Sequence, residues 1–274
     1  MKRKRNRRRT LFHLGTALFA ALFLLSGFML LRQYRDQRAS AEAFHQLAAL
    51  VRQDPEPEAR DLPASETETA PDSIGSAEVS TAMTAYEKYA DIYAQNTDFV
   101  GWLSIDGTGI DYPVMQSAEP DYYLKRAFDR SYSAHGTPYM QENCDPALSD
   151  NLIIYGHNMR DGSMFADLVA YADASFYRQH PIIHFDTLWG FGEYEIVAVF
   201  QTVAYSSEGF QYYRFVNAEG PEDFDAFLAQ CQALALYDTG VDAQYGDKLI
   251  TLSTCEYSRG DGRMVVVAKQ KQSA

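Results

Sequence analysis

Eight short segments rich in β-branched and aromatic residues follow one another through the C-terminal two thirds of the chain. Runs of this length, bounded by Gly, Pro, Asn, Asp and Ser, are typical of β-strands. Eight such strands in series predict a mainly β domain with a barrel or sandwich architecture, and the pattern alone does not choose between the two. The predicted strands are 99–105, 110–115, 136–141, 151–156, 182–186, 193–203, 247–254 and 263–269.

Three helical segments accompany the predicted strands. Residues 84–95 carry tyrosines at helical spacing, and 163–168 follows the fourth strand as a short apolar stretch. Residues 221–236 begin with Pro221 followed by acidic side chains, an arrangement that is favourable at a helix N-terminus. We therefore predict a folded domain over residues 82–274, in which helices are inserted between the strands.

A basic and then uncharged segment opens the 274-residue chain. Seven Lys and Arg lie within residues 1–10, and the 21 residues 11–31 carry no charge. A helix rises about 1.5 Å per residue, so this segment is long enough to cross a hydrocarbon core of about 30 Å. We predict a cytoplasmic stub over 1–10 and a transmembrane anchor over 11–31, with the remainder outside the membrane. A cleaved signal peptide is the alternative, but the apolar run is long for one and charged residues follow it directly.

The segment between the anchor and the folded domain has a different composition. Residues 32–53 have the pattern of a continuing helix, whereas 54–80 are rich in Pro, Glu, Ser, Thr and Ala. Such a composition buries too little apolar surface to fold, so we predict a helical and then flexible stalk over 32–81.

The chain that follows the seven N-terminal positive charges is strongly acidic. It contains 17 Lys and Arg against 37 Asp and Glu, a net charge of −20. This charge excludes nucleic acid as a partner, because phosphate contacts need basic patches.

Three cysteines are too few for a disulfide-dependent extracellular domain, and one of them must stay unpaired. Cys231 falls on the apolar face of a helical pattern, which indicates a core residue, and Cys144 lies in a polar loop. Cysteine and histidine spacing matches no zinc site, and the acidic residues match no calcium loop. We predict no metal and no cofactor.

Cys255 is the cysteine with the pattern of a reactive thiol. It ends a predicted strand, and Arg263 opens the next strand eight residues later. A hairpin of these two strands brings the thiol and the guanidinium to the same end of the sheet. A nearby positive charge lowers the pKa of a thiol and can also stabilise an oxyanion. Arg259 is an alternative cation, but it lies in a loop where a solvated charge is the ordinary outcome.

His157 is the predicted general acid and base, because a nucleophilic cysteine usually works with a histidine distant in sequence. It follows the end of the fourth predicted strand. The alternatives are His135 in a turn, His180 before a proline and His184 within a strand. Asn158 is a poor orienter for the imidazole, because neighbours on an extended chain point to opposite faces.

Five segments of the chain match the motifs of one known family in their order along the sequence. They are NTDFVGWL (96–103), IDYPV (110–114), YGHNM (155–159), TLSTC (251–255) and GR (262–263). With these segments the chain resembles the sortases, and specifically the class B sortases, over roughly residues 84–270. The resemblance implies an eight-stranded β-barrel with an N-terminal helix and a helix between the sixth and seventh strands. It also places a substrate groove over the fourth and seventh strands, with residues 205–236 forming one wall.

The same resemblance implies a membrane-anchored cysteine transpeptidase at a bacterial plasma membrane. Such an enzyme cuts secreted proteins at a C-terminal sorting motif through a cysteine thioester and passes the acyl group to a peptidoglycan precursor or pilin amine. In this chain Cys255 is the expected nucleophile, His157 the acid and base, and Arg263 the oxyanion stabiliser. The residues expected to contact the substrate or its oxyanion are Ser253, Thr254, Glu256 and Asn158.

Two other functions stay open at this point. In the first, water is the acceptor in place of the amine, and the protein is a plain cysteine endopeptidase. A hydrolysed product would distinguish this function from a transpeptidase, which gives an amine-linked product. A non-enzymatic surface binding module with a degenerate site is the second alternative. The presence of Cys255, His157 and Arg263 together argues against it.

Overall fold

The computed structural model describes residues 2–52, 83–204, 209–255, 257 and 260–272. The chain divides into two units, Met1–His45 and Gln46–Ala274. Helix α1 runs unbroken over Lys2–Arg52 and includes a stretch that is long and apolar enough to cross a membrane. The predicted stub, anchor and first part of the stalk therefore form one helix. The rest of the predicted stalk, residues 53–81, lies outside the described residues.

Eight strands close into a single barrel in the order β1-β2-β3-β4-β7-β8-β6-β5. The prediction of an eight-stranded barrel is confirmed, and closure excludes the sandwich. The third strand is much shorter than predicted, because Gly136 has a positive φ of 61° and Pro138 has no N–H to donate. The strands are β1 Phe99–Ser104, β2 Asp111–Met115, β3 Tyr139–Met140, β4 Asn151–Tyr155, β5 Ile182–Thr187, β6 Glu193–Val203, β7 Leu249–Cys255 and β8 Gly262–Gln270.

Helices cover the barrel and connect its strands. Helix α2 (Ala85–Gln95) precedes β1, and α4 (Pro221–Leu234) lies between β6 and β7, both as predicted. The segment predicted as helical over 163–168 is instead a 3-10 helix over Ala166–Ala172. The positive φ of 58° at Met164 explains this later start, because a left-handed residue interrupts a right-handed helix. Three further elements were not predicted from the sequence, namely α3 (Ala174–Gln179) and the 3-10 turns Tyr122–Lys125 and Tyr212–Arg214.

The hydrophobic core has two layers that share the strands of the barrel. Ile153, Leu252 and Val266 are fully buried in the barrel interior. On the outer face, Phe224 and Cys231 of α4 pack with buried residues of β6, β7 and β8. Because β8 is covered on both faces, its centre is a continuous apolar run without the alternation of a one-sided strand.

Candidate active site

Strand pairing brings the two sequence motifs to the same end of the barrel. Strands β4 and β7 are parallel neighbours, in a register that sets Tyr155 beside Ser253. His157 and Cys255 each follow that pair by two residues. Strands β7 and β8 form the predicted antiparallel hairpin, in which Cys255 is paired with Arg263. The three side chains that the sequence singled out therefore line one cleft, with a volume of about 660 Å³.

Tyrosines bonded to the barrel frame form much of the cleft wall. The Tyr155 hydroxyl donates to Gln141 Oε1 at 2.5 Å, and Gln141 Nε2 donates to the Tyr213 carbonyl at 3.0 Å. The Tyr139 hydroxyl donates to Asp121 Oδ1 at 2.6 Å. These bonds hold aromatic surfaces in place around Cys255, His157 and Arg263. The described lining residues are Pro120, Asp121, Leu124, Tyr139, Gln141, Glu142, Tyr155, Gly156, His157, Ala204, Tyr212, Tyr213, Ser253, Thr254, Cys255 and Arg263.

The three cysteines differ in exposure, and all three are free thiols. Cys144 and Cys231 are buried, and burial raises the pKa of both thiols, that of Cys144 to about 11. Raised pKa values keep these thiols protonated and unreactive near neutral pH. Cys255 sits at the end of β7, is partly exposed and faces the cleft. It is therefore the one cysteine that a substrate can reach.

The His157 imidazole is held by the main chain of the 3-10 turn Tyr122–Lys125, which precedes β3. Its Nε2 lies 2.7 Å from the Leu124 carbonyl oxygen. A carbonyl only accepts, so Nε2 carries the hydrogen and Nδ1 is the nitrogen that can gain or lose a proton. The His157 carbonyl accepts from the Phe165 N–H at 2.8 Å. Both ends of the residue are thus fixed beside the cleft.

The other candidate histidines are engaged away from the cleft. His135 Nε2 lies 3.2 Å from Asp161 Oδ2, and the residue is buried. His180 Nδ1 lies 2.7 Å from the Asp106 carbonyl, and His184 Nε2 lies 3.6 Å from the Asp106 carboxylate. Among the six histidines of the chain, all within the described residues, His157 is the one that lines the cleft.

Arg263 is half-buried near the start of β8, and its Nη1 donates to the Gly262 carbonyl at 3.0 Å. A side chain that leaves a strand is better fixed than one in a loop, and electrostatic stabilisation depends on such preorganisation. The alternative cation Arg259 lies outside the described residues.

The predicted substrate-contacting residues have partners within the protein. Ser253 is 1% exposed, and its Oγ lies 2.6 Å from the Tyr212 hydroxyl. The Thr254 hydroxyl donates to the Gly156 carbonyl at 2.8 Å. Asn158 donates through Nδ2 to the Cys255 carbonyl at 2.9 Å. Glu256 lies outside the described residues.

Two residues that contribute to the site, Leu124 and Tyr212, were not predicted from the sequence. Leu124 acts through its carbonyl oxygen, and no residue type is needed for that contact. Tyr212 belongs to an aromatic stretch whose tyrosines fit packing and substrate contact equally well. A buried tyrosine hydroxyl needs a hydrogen-bond partner, but the sequence does not show where that partner lies.

The described residues contain no group of three or more His, Cys, Asp or Glu side chains that could hold a metal ion. The expectation of a metal-free enzyme stays a prediction.

Comparisons with known proteins agree with this arrangement. Residues 103–271 match the model of the Sortase domain. The chain is 37% identical over 188 residues to "Sortase B" of Listeria monocytogenes, covering 67% of this chain and 74% of that protein. It resembles the solved "Staphylococcus aureus sortase B-substrate complex" with a TM-score of 0.63 and 32% identity, over 68% of this chain and 86% of that one. A crystal structure of a sortase B complexed with triglycine matches with a TM-score of 0.64 and 30% identity, over 70% of this chain and 88% of that one.

Proposed function

The chain belongs to the sortase family as a class B sortase, a cysteine transpeptidase, and we propose that Cys255, His157 and Arg263 are its catalytic residues. The observation that carries the proposal is the strand register. Parallel pairing of β4 with β7 brings the histidine loop to the cysteine, and the β7–β8 hairpin brings the arginine. A nucleophile, a proton carrier and a fixed cation around one accessible cleft are the groups that acyl transfer needs.

In the first half of the reaction the Cys255 thiolate attacks the carbonyl carbon of a substrate peptide bond. The C–S bond forms and the electron pair of the carbonyl moves to its oxygen, which Arg263 stabilises as an oxyanion. When the oxyanion collapses, the C–N bond breaks and the leaving amine takes a proton from His157. The product is a thioester on Cys255.

In the second half a new amine attacks the thioester and His157 accepts its proton. The thiolate of Cys255 leaves and an amide bond replaces the thioester. Water in the place of the amine gives hydrolysis, so the aromatic cleft has to favour the amine over water for transfer to prevail. Ser253, Thr254 and Asn158 support this chemistry as parts of the frame around Cys255, and Glu256 stays a predicted contact.

We propose that the substrates are secreted proteins with a C-terminal sorting motif and that the acceptor is a peptidoglycan precursor or pilin amine. The sortase B of Staphylococcus aureus has been solved as a substrate complex, and a sortase B has been solved with triglycine. These two structures are 32% and 30% identical to this chain and cover 68% and 70% of it.

We further propose that α1 anchors the protein in a bacterial plasma membrane, with its basic end in the cytoplasm. The apolar stretch of the helix and the seven positive charges before it support this orientation. Alkaline extraction should leave the full chain in the membrane fraction, and mass spectrometry should find the N-terminal residues retained. A shortened chain, released from the membrane, would instead indicate a cleaved signal peptide.

Activity is tested by incubating the protein with pooled sorting-motif peptides and a small amine, and reading the products by mass spectrometry. Cys255→Ala and His157→Ala should each lower the amine-linked product by about 100-fold or more. Arg263→Ala should lower it by about 100-fold, as the loss of an oxyanion donor does. His184→Ala on β5 and Arg178→Ala on α3 are matched controls away from the cleft and should keep activity.

The outcomes separate the three functions. Amine-linked product that is lost in the three variants supports the transpeptidase. Hydrolysed peptide without amine linkage, at saturating amine, indicates the endopeptidase. A Cys255 that resists alkylation, together with absence of any product, indicates the binding module.

A further inference from the structure

The side chain of Asn158 holds the main chain of the proposed nucleophile. Its Nδ2 donates to the Cys255 carbonyl at 2.9 Å, across a sequence separation of 97 residues. This bond joins the loop that carries His157 to the end of the strand that carries Cys255. We propose that Asn158 is a positioning residue for acyl transfer, which orients the peptide unit that follows the reactive cysteine. The proposal rests on Cys255 being the nucleophile.

Peptide geometry converts this contact into an effect on the reaction. A peptide unit is planar and trans, so its C=O and the N–H that follows point in opposite directions. A donor that fixes the Cys255 carbonyl therefore also fixes the direction of that N–H. Main-chain N–H groups next to a nucleophile are the usual donors to a developing oxyanion, and their effect depends on being held in place before the reaction.

The main chain of Asn158 is itself held in place, so its side-chain amide points in a defined direction. The Tyr257 hydroxyl donates to the Asn158 carbonyl at 2.8 Å. Asn158 also forms an antiparallel bridge with Met164. The Met164 N–H lies 3.0 Å from the Tyr112 hydroxyl, which ties the far side of the loop to β2.

The tip of the same loop is pinned by Asp161. One carboxylate oxygen accepts from the Ser163 N–H at 3.0 Å and from its hydroxyl at 2.7 Å. The other lies 3.2 Å from Nε2 of His135. Burial alone would raise the pKa of Asp161, but these contacts outweigh it and lower that pKa, so the carboxylate stays charged. A loop held at both its base and tip can carry a positioning side chain.

Two other roles for Asn158 fit the contacts less well. An orienter of the histidine would bond the imidazole, but the imidazole Nε2 is bonded to the Leu124 carbonyl. A substrate-binding amide would present its donors to the cleft, but Nδ2 is directed at the Cys255 carbonyl, and Asn158 is not among the described lining residues.

The test separates oxyanion stabilisation from thiol reactivity in the full chain. Asn158→Leu keeps a similar shape but has no donor, whereas Asn158→Gln keeps the donor on a longer side chain. For each variant, kcat and KM of amine transfer are measured beside the rate at which iodoacetamide alkylates Cys255. Alkylation needs the thiolate but forms no oxyanion, so only transfer depends on the oriented peptide unit.

We expect Asn158→Leu to lower kcat by about 10- to 100-fold with KM changed less than about 2-fold, since the lost interaction acts in the transition state. The alkylation rate should stay unchanged, and Asn158→Gln should recover part of kcat. The matched control is Asn217→Leu. Asn217 lies at the opposite end of β4, where its Oδ1 accepts from the Asp150 N–H.

Three results would overturn the proposal: an unchanged kcat in Asn158→Leu, a parallel fall in transfer and alkylation, or equal losses in Asn158→Leu and Asn158→Gln. A parallel fall in transfer and alkylation would mean that Asn158 acts on the reactivity of the thiol or on the stability of the fold. Equal losses in the two variants would mean that the size and shape of the side chain matter and that its donor does not. Retained transfer in Cys255→Ala would instead contradict the proposed function, so the two failures are distinguishable.

Discussion

Ser253 shows how a polar residue near the proposed nucleophile can belong to the frame of the protein. Its hydroxyl and that of Tyr212 are both buried and lie 2.6 Å apart. The pair joins β7 to the 3-10 turn that contributes Tyr212 and Tyr213 to the cleft. The geometry therefore couples the position of this wall to the strand that carries Cys255.

A double-mutant cycle tests this coupling. Tyr212→Phe and Ser253→Ala each deprive a buried hydroxyl of this bond, and each should lower the free energy of unfolding by about 1–2 kcal/mol. The double variant should lose clearly less free energy of unfolding than the two single variants together, because it leaves neither hydroxyl of the pair buried without its partner. Urea unfolding of the four proteins measures the coupling. Strictly additive losses would show that the bond contributes nothing to stability.

Between elements, Gly156 permits the close contact that fixes the histidine loop against the 3-10 helix Ala166–Ala172. A Cβ at this position would lie 2.5 Å from Cγ of Phe165, and Phe165 donates its N–H to the His157 carbonyl. Phe165 is fully buried, so its ring has little room to move. The end of β4 and the start of the 3-10 segment are thus packed together through a position that has no side chain.

Gly156→Ala should therefore cost more than an ordinary glycine replacement. We expect a loss of about 1–3 kcal/mol in the free energy of unfolding, as for overpacked cores, together with a lower kcat because His157 is displaced. Gly190→Ala is the matched control, since a Cβ there would meet no atom within 4 Å. Thermal unfolding and transfer kinetics measure both effects. Equal stability of the two variants would contradict the packing argument.

The elements differ in how much of them the sequence could predict. Strands such as β6 and β8 could be located because their apolar, β-branched runs are local properties of the chain. The turn at Met164 could not, because a left-handed methionine has no residue-type signal. Barrel closure depends on the pairing of β1 with β5, and pairings between segments distant in sequence leave no local pattern.

The site, too, has parts that follow from local sequence and parts that depend on pairing between distant segments. The hairpin of Cys255 with Arg263 follows from a short loop between two strands and was predictable from residues alone. The approach of His157 depends on the parallel pairing of β4 with β7, which periodicity did not predict, and the resemblance implied only a groove over these two strands. Asn158 was expected at the substrate, and its contact with the Cys255 carbonyl emerges only when both strand ends are in place.

At the scale of the whole molecule, the excess of acidic residues is partly used in bonds that span distant parts of the folded unit. Asp98 accepts from Arg130 Nε at 3.0 Å and from the Tyr123 hydroxyl at 2.6 Å. Asp150 accepts from Lys248 Nζ at 3.0 Å, which links the start of β4 to that of β7. Burial alone would raise the pKa of both carboxyls, but their bonds to N–H, hydroxyl and ammonium groups outweigh it and lower both pKa values.

Lowered carboxyl pKa values predict the pH dependence of stability. An acid whose pKa is lower in the folded state stabilises that state at every pH above its ordinary pKa of 3.8. The contribution is lost as the pH falls through the lowered value. The free energy of unfolding should therefore change little for these groups between about pH 7 and pH 5 and fall below about pH 4. Urea unfolding can be followed by tryptophan fluorescence, because both tryptophans, Trp102 and Trp189, lie in the barrel unit.

Replacement of one carboxylate measures its contribution to the pH dependence of the free energy of unfolding. Asp98→Asn should lower the free energy of unfolding by about 1–2 kcal/mol at pH 7, because two bonds to a charged acceptor are weakened. The difference from the parent protein should begin to shrink below about pH 4 and disappear as the pH falls through the lowered pKa of Asp98, where its carboxylate is protonated in the folded state. Asp225→Asn, at an exposed position of α4, is the matched control and should follow the parent curve. The free energies of unfolding of Asp98→Asn and the parent protein could instead differ by the same amount from pH 7 to pH 3. The effect would then come from packing, and the charge of Asp98 would have no part in it.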